Sequence, residues 1–140
     1  MEINTELITV YIPTFNRVKF LKRAVNSVLS QSYQNFELII VDDCSHDETI
    51  QYLEKLSSND KRIIFFQNIK NSGACVSRNK AITEAKGKYI TGLDDDDEFT
   101  PDRLEFLLKN FKKNYSFICS SLIIIDSKKS RCSSCRDLVF

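Results

Sequence analysis

The chain has 140 residues, with 20 Lys and Arg against 19 Asp and Glu and a formal net charge of +1. This length suits one domain with a real core, and 42% hydrophobic with 28% charged residues excludes wholesale disorder. A near-neutral total argues against a generally basic nucleic-acid binder, so no nucleic-acid partner is expected.

No apolar run approaches the roughly 18–20 residues of a membrane-spanning helix. Phe36–Val41 and Leu122–Ile125 are strand-sized. Met1–Glu6 carries two acids and no basic apolar leader, so no secretory signal is expected. The balanced total hides one local excess: Asp94-Asp95-Asp96-Asp97-Glu98 is five acids in a row.

In chain order, Leu7–Ile12 is an apolar, β-branched run ended by Pro13, which predicts a strand. Val18, Leu21, Val25, Val28 and Leu29 recur at helical spacing and predict a helix over Val18–Leu29. Phe36–Val41 is a second strand. Ser45-His46-Asp47-Glu48 has the form of a capping box and predicts a helix from Asp47 to about Leu56. Arg62–Phe66 is a third strand, and Asn68–Gly73 is turn-like.

Ala74–Ala85 reads as a helix stopped near Gly87. Lys88–Leu93 is a fourth strand, and the acid run follows it. Thr100-Pro101 opens a helix carrying Leu104, Leu107, Leu108 and Phe111. Phe117–Ile125 is a fifth strand. Ser127–Phe140 is polar and weakly patterned.

Strands and helices therefore alternate, and runs such as LITVYI and FELIIV are apolar on both faces. The expected fold is an α/β open, mostly parallel sheet with helices on both faces. Ligands of such sheets bind outside the carboxyl ends of the strands. Strand 1 ends in Pro13-Thr14-Phe15-Asn16-Arg17, strand 2 in Asp42-Asp43 and strand 4 in Asp94–Asp97. Polar and acidic groups converge on one edge.

Four successive carboxylates at a strand end repel one another. A hard divalent cation with oxygen ligands, Mn²⁺ or Mg²⁺, would relieve that repulsion, as would solvation and the dipole of the following helix. An acid such as Asp42 or Asp43 could accept hydrogen bonds from a nucleoside, or serve the N-terminus of the next helix. Arg78, one turn into the helix after Gly73, could reach a phosphate or lie on the surface. Neither G-x-G-x-x-G after strand 1 nor a P-loop is present, which disfavours those sites. Five cysteines, an odd number at irregular spacing, point to reduced thiols. Cys132-Ser-Ser-Cys135 lacks the second pair or the histidines that zinc needs, His46 being the sole histidine.

Several blocks together resemble family 2 glycosyltransferases of the GT-A fold. They are Ile12-Pro13-Thr14-Phe15-Asn16-Arg17, Ser27-Val28-Leu29-Ser30-Gln31-Ser32-Tyr33 and Val41-Asp42-Asp43-Cys44-Ser45-His46-Asp47-Glu48-Thr49. The match continues through Asn71-Ser72-Gly73, Ser77-Arg78-Asn79, Gly87-Lys88-Tyr89-Ile90 and Leu93-Asp94-Asp95-Asp96-Asp97 to Pro101 and Leu104-Glu105, spanning residues 7 to about 125.

The resemblance implies a Rossmann-like donor-binding domain over residues 1–126. It implies a nucleotide-diphosphate sugar, commonly UDP- or dTDP-linked, whose sugar is transferred with inversion to a carbohydrate or lipid-linked acceptor. By position, Pro13, Thr14, Asn16 and Arg17 belong to the strand 1 loop at the nucleotide pocket. Asp43 matches the base-recognising acid with Asp42 beside it, and Arg78 falls in a pocket block. Asp94-Asp95-Asp96 matches the D-x-D region, with Asp95 beside the ribose and Asp96 on the metal, which acts as a Lewis acid on the leaving group.

Two residues depart from the family pattern: Cys44 replaces the usual Gly, and His46 the usual Thr. In this family the acceptor-binding portion and the general base come later, so residues 127–140 are expected to be a polar tail or the start of that portion. Asp137 is not nominated as base. Family members often work at the inner face of the membrane, which implies a cytoplasmic, peripheral location. Lys112-Lys113 and Lys128-Lys129-Ser130-Arg131 could touch anionic lipid, though a solvated surface is the commoner role.

Two rival readings remain. A receiver domain would need an acid at the end of strand 3, where Phe66-Gln67-Asn68 stands. A non-catalytic nucleotide-binding or scaffold module of the same fold is the other.

Overall fold

The structure, a computed structural model, describes residues 6–112, 114–120, 122–125 and 130–133. Four strands, β1 (Ile8–Thr14), β2 (Phe36–Asp42), β3 (Ile63–Gln67) and β4 (Tyr89–Gly92), form one parallel sheet in the order β3-β2-β1-β4. Helices α1 (Val18–Leu29), α2 (Thr49–Asn59) and α3 (Ala74–Glu84) connect them, and α4 (Arg103–Asn110) follows β4.

Side chains alternate across a strand, so a central strand covered on both faces must be apolar at consecutive positions. β2 is buried along its whole length. Ile8, Val10 and Ile12 of β1 and Phe36, Leu38 and Ile40 of β2 face one layer, with Leu21, Ala24, Val25 and Val28 of α1, Leu53 of α2 and Leu104 of α4. Ile39 and Val41 face the other layer, against Ala81 of α3 with Tyr11 and Phe66 alongside. Fully burying each of the Val, Leu, Ile and Phe side chains among these is worth about 1.5–3 kcal/mol.

This layering sets the location of the site. The chain runs outward from β1 to β3 with α1 and α2 on one face. It then crosses by α3, on the other face, to β4 on the far side of β1. Loops leaving β1 and β4 therefore diverge, opening a crevice at their carboxyl ends.

Several boundaries differ from the sequence expectation. Pro13 does not end β1, which continues to Thr14. Tyr11 O accepts from Leu93 N on the β4 side, whereas Ile8 N donates to Asn35 O on the β2 side. By that alternation the nitrogen of Pro13 points toward β4, whose pairing has already ended at Tyr11↔Gly92, so no ladder bond is lost.

The expected capping box does not form. Ser45 Oγ accepts from Asn16 N, and Asp47 Oδ1 takes Thr49 N and Thr49 Oγ1 instead, so α2 begins at Thr49 and reaches Asn59. The helix expected from Thr100 starts at Arg103. Gln31, two residues beyond the end of α1, accepts from Leu104 N at 3.0 Å and donates to Thr100 O at 2.7 Å.

The expected fifth strand shortens to β5 (Leu122–Ile125) and does not join the parallel sheet. It pairs antiparallel with β6 (Ser130–Ser133), within a stretch expected to lack pattern. Pairing with a strand so near in sequence closes a short loop at low entropic cost. Lys113, Lys128, Lys129, Cys135 and Asp137 lie outside the described residues. Lys112 is exposed, with its ammonium 5.7 Å from the Tyr115 ring centre. Cys44, Cys75 and Cys119 are free thiols. No helix among the described residues is long and apolar enough to cross a membrane.

Candidate donor-binding site

The loops after β1, β2 and β4 are tied together before they offer anything to a ligand. Asn16 adopts a left-handed φ of 53°. Its backbone N donates to Ser45 Oγ at 2.8 Å, and its Oδ1 accepts from His46 N at 2.7 Å. Asp47 Oδ2 accepts from Val18 N at 3.2 Å, satisfying a donor at the start of α1. On the other side, Thr14 Oγ1 donates to Asp95 Oδ2 at 2.8 Å. The exit of the acid loop is held by Ser27 Oγ, which accepts from Phe99 N at 3.0 Å, and by Gln31.

These ties leave a cleft of about 340 Å³ lined by Pro13, Thr14, Phe15, Arg17, Asp43, Ala74, Ser77, Arg78, Asp94, Asp95 and Asp96. Eight of the ten residues nominated from sequence line it; Asn16 and Asp42 do not. Asn16 is spent on joining two loops. Asp42 is fully buried, and its Oδ2 accepts from Ser45 N at 3.0 Å and Gln67 Nε2 at 3.2 Å. Its Oδ1 has no partner among the described residues. Asp42 thus braces the β2 loop and does not reach the cleft.

Asp43 is also nearly buried, but its carboxylate organises the far wall. Oδ1 accepts from Asn68 Nδ2 at 2.8 Å and Ser72 N at 2.9 Å; Oδ2 accepts from Gly73 N at 2.7 Å and Ser72 N at 3.1 Å. Burial alone would raise its pKa, yet these donors together hold it below the ordinary carboxylate value. Gly73, at φ 88°, supplies the left-handed turn that aims these amides and begins α3.

The cleft's two arginines face its four carboxylates. Arg17 Nη1 lies 2.8 Å from Asp96 Oδ2 and 3.4 Å from Asp95 Oδ1. Arg78 Nη2 lies 2.6 Å from Asp94 Oδ1, and that bond raises the arginine's pKa. Burial pushes the Asp95 carboxyl above its usual value, against the Thr14 bond and the Arg17 charge. Burial and the neighbouring Asp96 and Asp94 charges push Asp97 the same way.

The donor set distinguishes two kinds of metal site. Among the described residues no three His, Cys, Asp or Glu side chains gather to hold a metal by themselves. Asp94 and Asp96, half-exposed on either side of the buried Asp95, suit a hard cation whose shell is completed by phosphate oxygens and water. They do not suit a closed structural metal.

Ser77, Phe15 and Ala74 line the cleft without being among the site residues expected from sequence, although Phe15 and Ser77 stand in the motif blocks. Ser77, fully buried, accepts from Asn68 Nδ2 at 3.0 Å and so supports the Asp43 wall. Its place just before Arg78 was the available signal.

A parallel sheet with a polar cleft at its switch point defines the open α/β class, whose members bind their ligands beyond the carboxyl ends of the strands. The family described as Glycosyl transferase family 2 matches residues 9–137, and the chain belongs to that family. It is 53% identical over 107 residues to the Escherichia coli (strain K12) "Putative colanic acid biosynthesis glycosyl transferase WcaA", covering 75% of this chain and 38% of that protein.

The crystal structure of S. aureus TarS 1-349 in complex with UDP-GlcNAc aligns with a TM-score of 0.68 and 32% identity, over 73% of this chain and 30% of that one. The mannosyltransferase PcManGT from Pyrobaculum calidifontis, in complex with GDP-Man and Mn²⁺, aligns with a TM-score of 0.75 over 82% of this chain and 35% of that one. At 20% identity the latter shows the shared fold. The chain thus spans well under half the length of each of these three proteins.

Proposed function

We propose that residues 1–126 are the donor-binding domain of an inverting glycosyltransferase that acts in surface polysaccharide or glycolipid synthesis. The observation that carries this reading is the convergence of Arg17, Arg78 and the Asp94–Asp96 carboxylates in one cleft at the β1/β4 switch point. Guanidinium groups suit phosphate oxygens, and a carboxylate-held cation suits a diphosphate. The UDP-GlcNAc complex of TarS supports a nucleotide-diphosphate sugar, UDP- or dTDP-linked, as donor.

In this reading Asp43 and the amides it aims form the base end of the cleft, and Pro13 and Thr14 form its floor. Asp95 stands at the ribose. Asp96 holds Mn²⁺ or Mg²⁺, with Asp94 beside it. The metal supplies Lewis-acid stabilisation of the leaving diphosphate. Arg17 and Arg78 bind and orient the phosphates. The chain spans well under half the length of the relatives it matches, and the base that deprotonates the acceptor hydroxyl is assigned to the remainder of the enzyme. The acceptor is a carbohydrate or a lipid-linked carbohydrate, met at the cytoplasmic face of the membrane.

Calorimetric titration of UDP, dTDP, GDP and CDP, with and without Mn²⁺, tests the reading. Metal-dependent binding of one nucleoside diphosphate, weakened at least about tenfold by Asp96→Ala, is expected for loss of a metal ligand. No nucleotide binding under any condition overturns it.

A further inference from the structure

We propose that Arg17 is a built-in counter-cation that exchanges partners when donor binds: it gives up Asp96 to the divalent cation and turns its guanidinium to the diphosphate. The inference rests on the donor-site reading and adds to it a residue, Arg17, that sets the size of the coupling between metal and nucleotide.

The two carboxylates held by Arg17 differ in kind. Asp95 is buried and also takes the Thr14 hydroxyl at 2.8 Å, so it keeps its place when Arg17 leaves. Asp96 is half-exposed, and Arg17, at 2.8 Å, is the one side-chain donor on it among the described residues. The Arg17 side chain is itself 52% exposed. An ion pair so open to water is weak and easily given up. Yet it places a positive charge where a divalent cation must come, so metal alone has to displace an arginine.

Diphosphate reverses the balance. The cleft sets four carboxylates against two arginines, and an added diphosphate finds excess negative charge unless a cation enters with it. Once the cation has Asp96, the Arg17 fork is free for phosphate oxygens, which it suits better than a single carboxylate oxygen. Metal and nucleotide therefore strengthen each other's binding, and by linkage the factor is the same in both directions.

The test is titration of Mn²⁺, followed by the EPR signal of the free ion, into the 140-residue chain with and without UDP, together with calorimetric titration of UDP at saturating Mn²⁺. Wild type is compared with Arg17→Gln, Arg17→Ala and Arg23→Ala, each checked for fold by circular dichroism. Arg23 pairs with Glu98 outside the cleft and controls for general loss of positive charge. Arg17→Gln keeps a side chain over the loop and carries the test if Arg17→Ala does not fold.

The expected result is Mn²⁺ affinity without UDP raised about 3–10-fold by either Arg17 change, while UDP affinity at saturating Mn²⁺ falls by about 10-fold, so the coupling factor shrinks. Arg23→Ala should leave both within about twofold. If wild type binds UDP with Mn²⁺ but the Arg17 variants bind Mn²⁺ alone no better, or Arg23→Ala acts as strongly, the exchange is overturned and the donor site stands. If wild type binds no UDP even with Mn²⁺, the donor-site reading and the exchange both fall.

Discussion

Thr14 Oγ1 donates a 2.8 Å hydrogen bond to Asp95 Oδ2, joining the end of β1 to the acid loop across 81 positions of sequence. Both residues are buried, at 3% and 6% exposure. Thr14→Val keeps the shape and removes the donor, leaving a buried carboxylate oxygen without this partner. The expected loss is about 1–3 kcal/mol of unfolding free energy, read by urea denaturation. Thr14→Ser, which keeps the hydroxyl, should lose less than half as much.

Asp43 carries the pH dependence of the far wall. Its folded pKa lies below the ordinary 3.8 because Asn68, the amides of Ser72 and Gly73, and Ser77 together outweigh burial. A depressed carboxylate stabilises the fold fully above its unfolded value, and that contribution fades as pH falls through the folded value. Asp43→Asn should cost about 2–3 kcal/mol at pH 7. The gap between wild type and variant should narrow below about pH 4 in thermal unfolding scans taken from pH 7 downward. A gap that stays constant across this range would remove Asp43 as its source.

Gly87 and Gly92 look alike in sequence and differ in what surrounds them. A Cβ at Gly87 would lie 2.4 Å from the backbone N of Thr9, which cannot move without breaking the β1–β4 pairing. At Gly92 the obstruction is the end of the Tyr11 side chain, at 2.5 Å, which can swing away. Gly87→Ala should therefore destabilise by about 3 kcal/mol or more and Gly92→Ala by about 1–2 kcal/mol, compared by chemical unfolding. Equal costs would contradict the difference in packing.

Cys44 occupies the left-handed region at φ 69°, where an L side chain costs roughly 1–2 kcal/mol. Its thiol donates weakly to Ile69 O at 3.6 Å. Cys44→Gly relieves the strain and gives back part of that gain to the unfolded chain. A net increase of about 0.5–1 kcal/mol is expected, while Cys44→Val should be destabilising by more than about 1 kcal/mol. Differential scanning calorimetry of the two variants beside wild type decides the sign.

Much of this was legible before any fold was known. Consecutive apolar residues in LITVYI and FELIIV require strands covered on both faces, and α1 follows the periodicity of Val18 to Leu29. Elements that depend on distant partners were misplaced. α4 starts where Gln31, 73 positions away, meets the amide of Leu104, and no local signal at Thr100 reveals that. By contrast, β5 pairs with the nearby β6 rather than with the sheet, although Ser127–Phe140 carries only a weak strand pattern. Glu37, buried and accepting from Thr9 Oγ1 and the amides of Lys86 and Gly87, carries no local mark of that role. Its bonding partners lie 28 to 50 positions away.

The local charge excess in a chain of net charge +1 was plain in the sequence, as was its place after an apolar strand. Local periodicity and residue type determined the alternating elements, the parallel sheet and the family, because they act over a few positions. The tertiary structure decided how each carboxylate is used. Asp42 and Asp43 are neighbours, yet one braces Ser45 and Gln67 out of the cleft, and the other lines it while aiming the amides of Ser72 and Gly73. Asp95 is buried against Thr14, while Asp96 stands in solvent against Arg17. Apart from Ser45, three positions from Asp42, the partners that make that distinction are brought together from 25 to 81 positions apart, through burial and hydrogen bonding that exist only once the sheet has assembled.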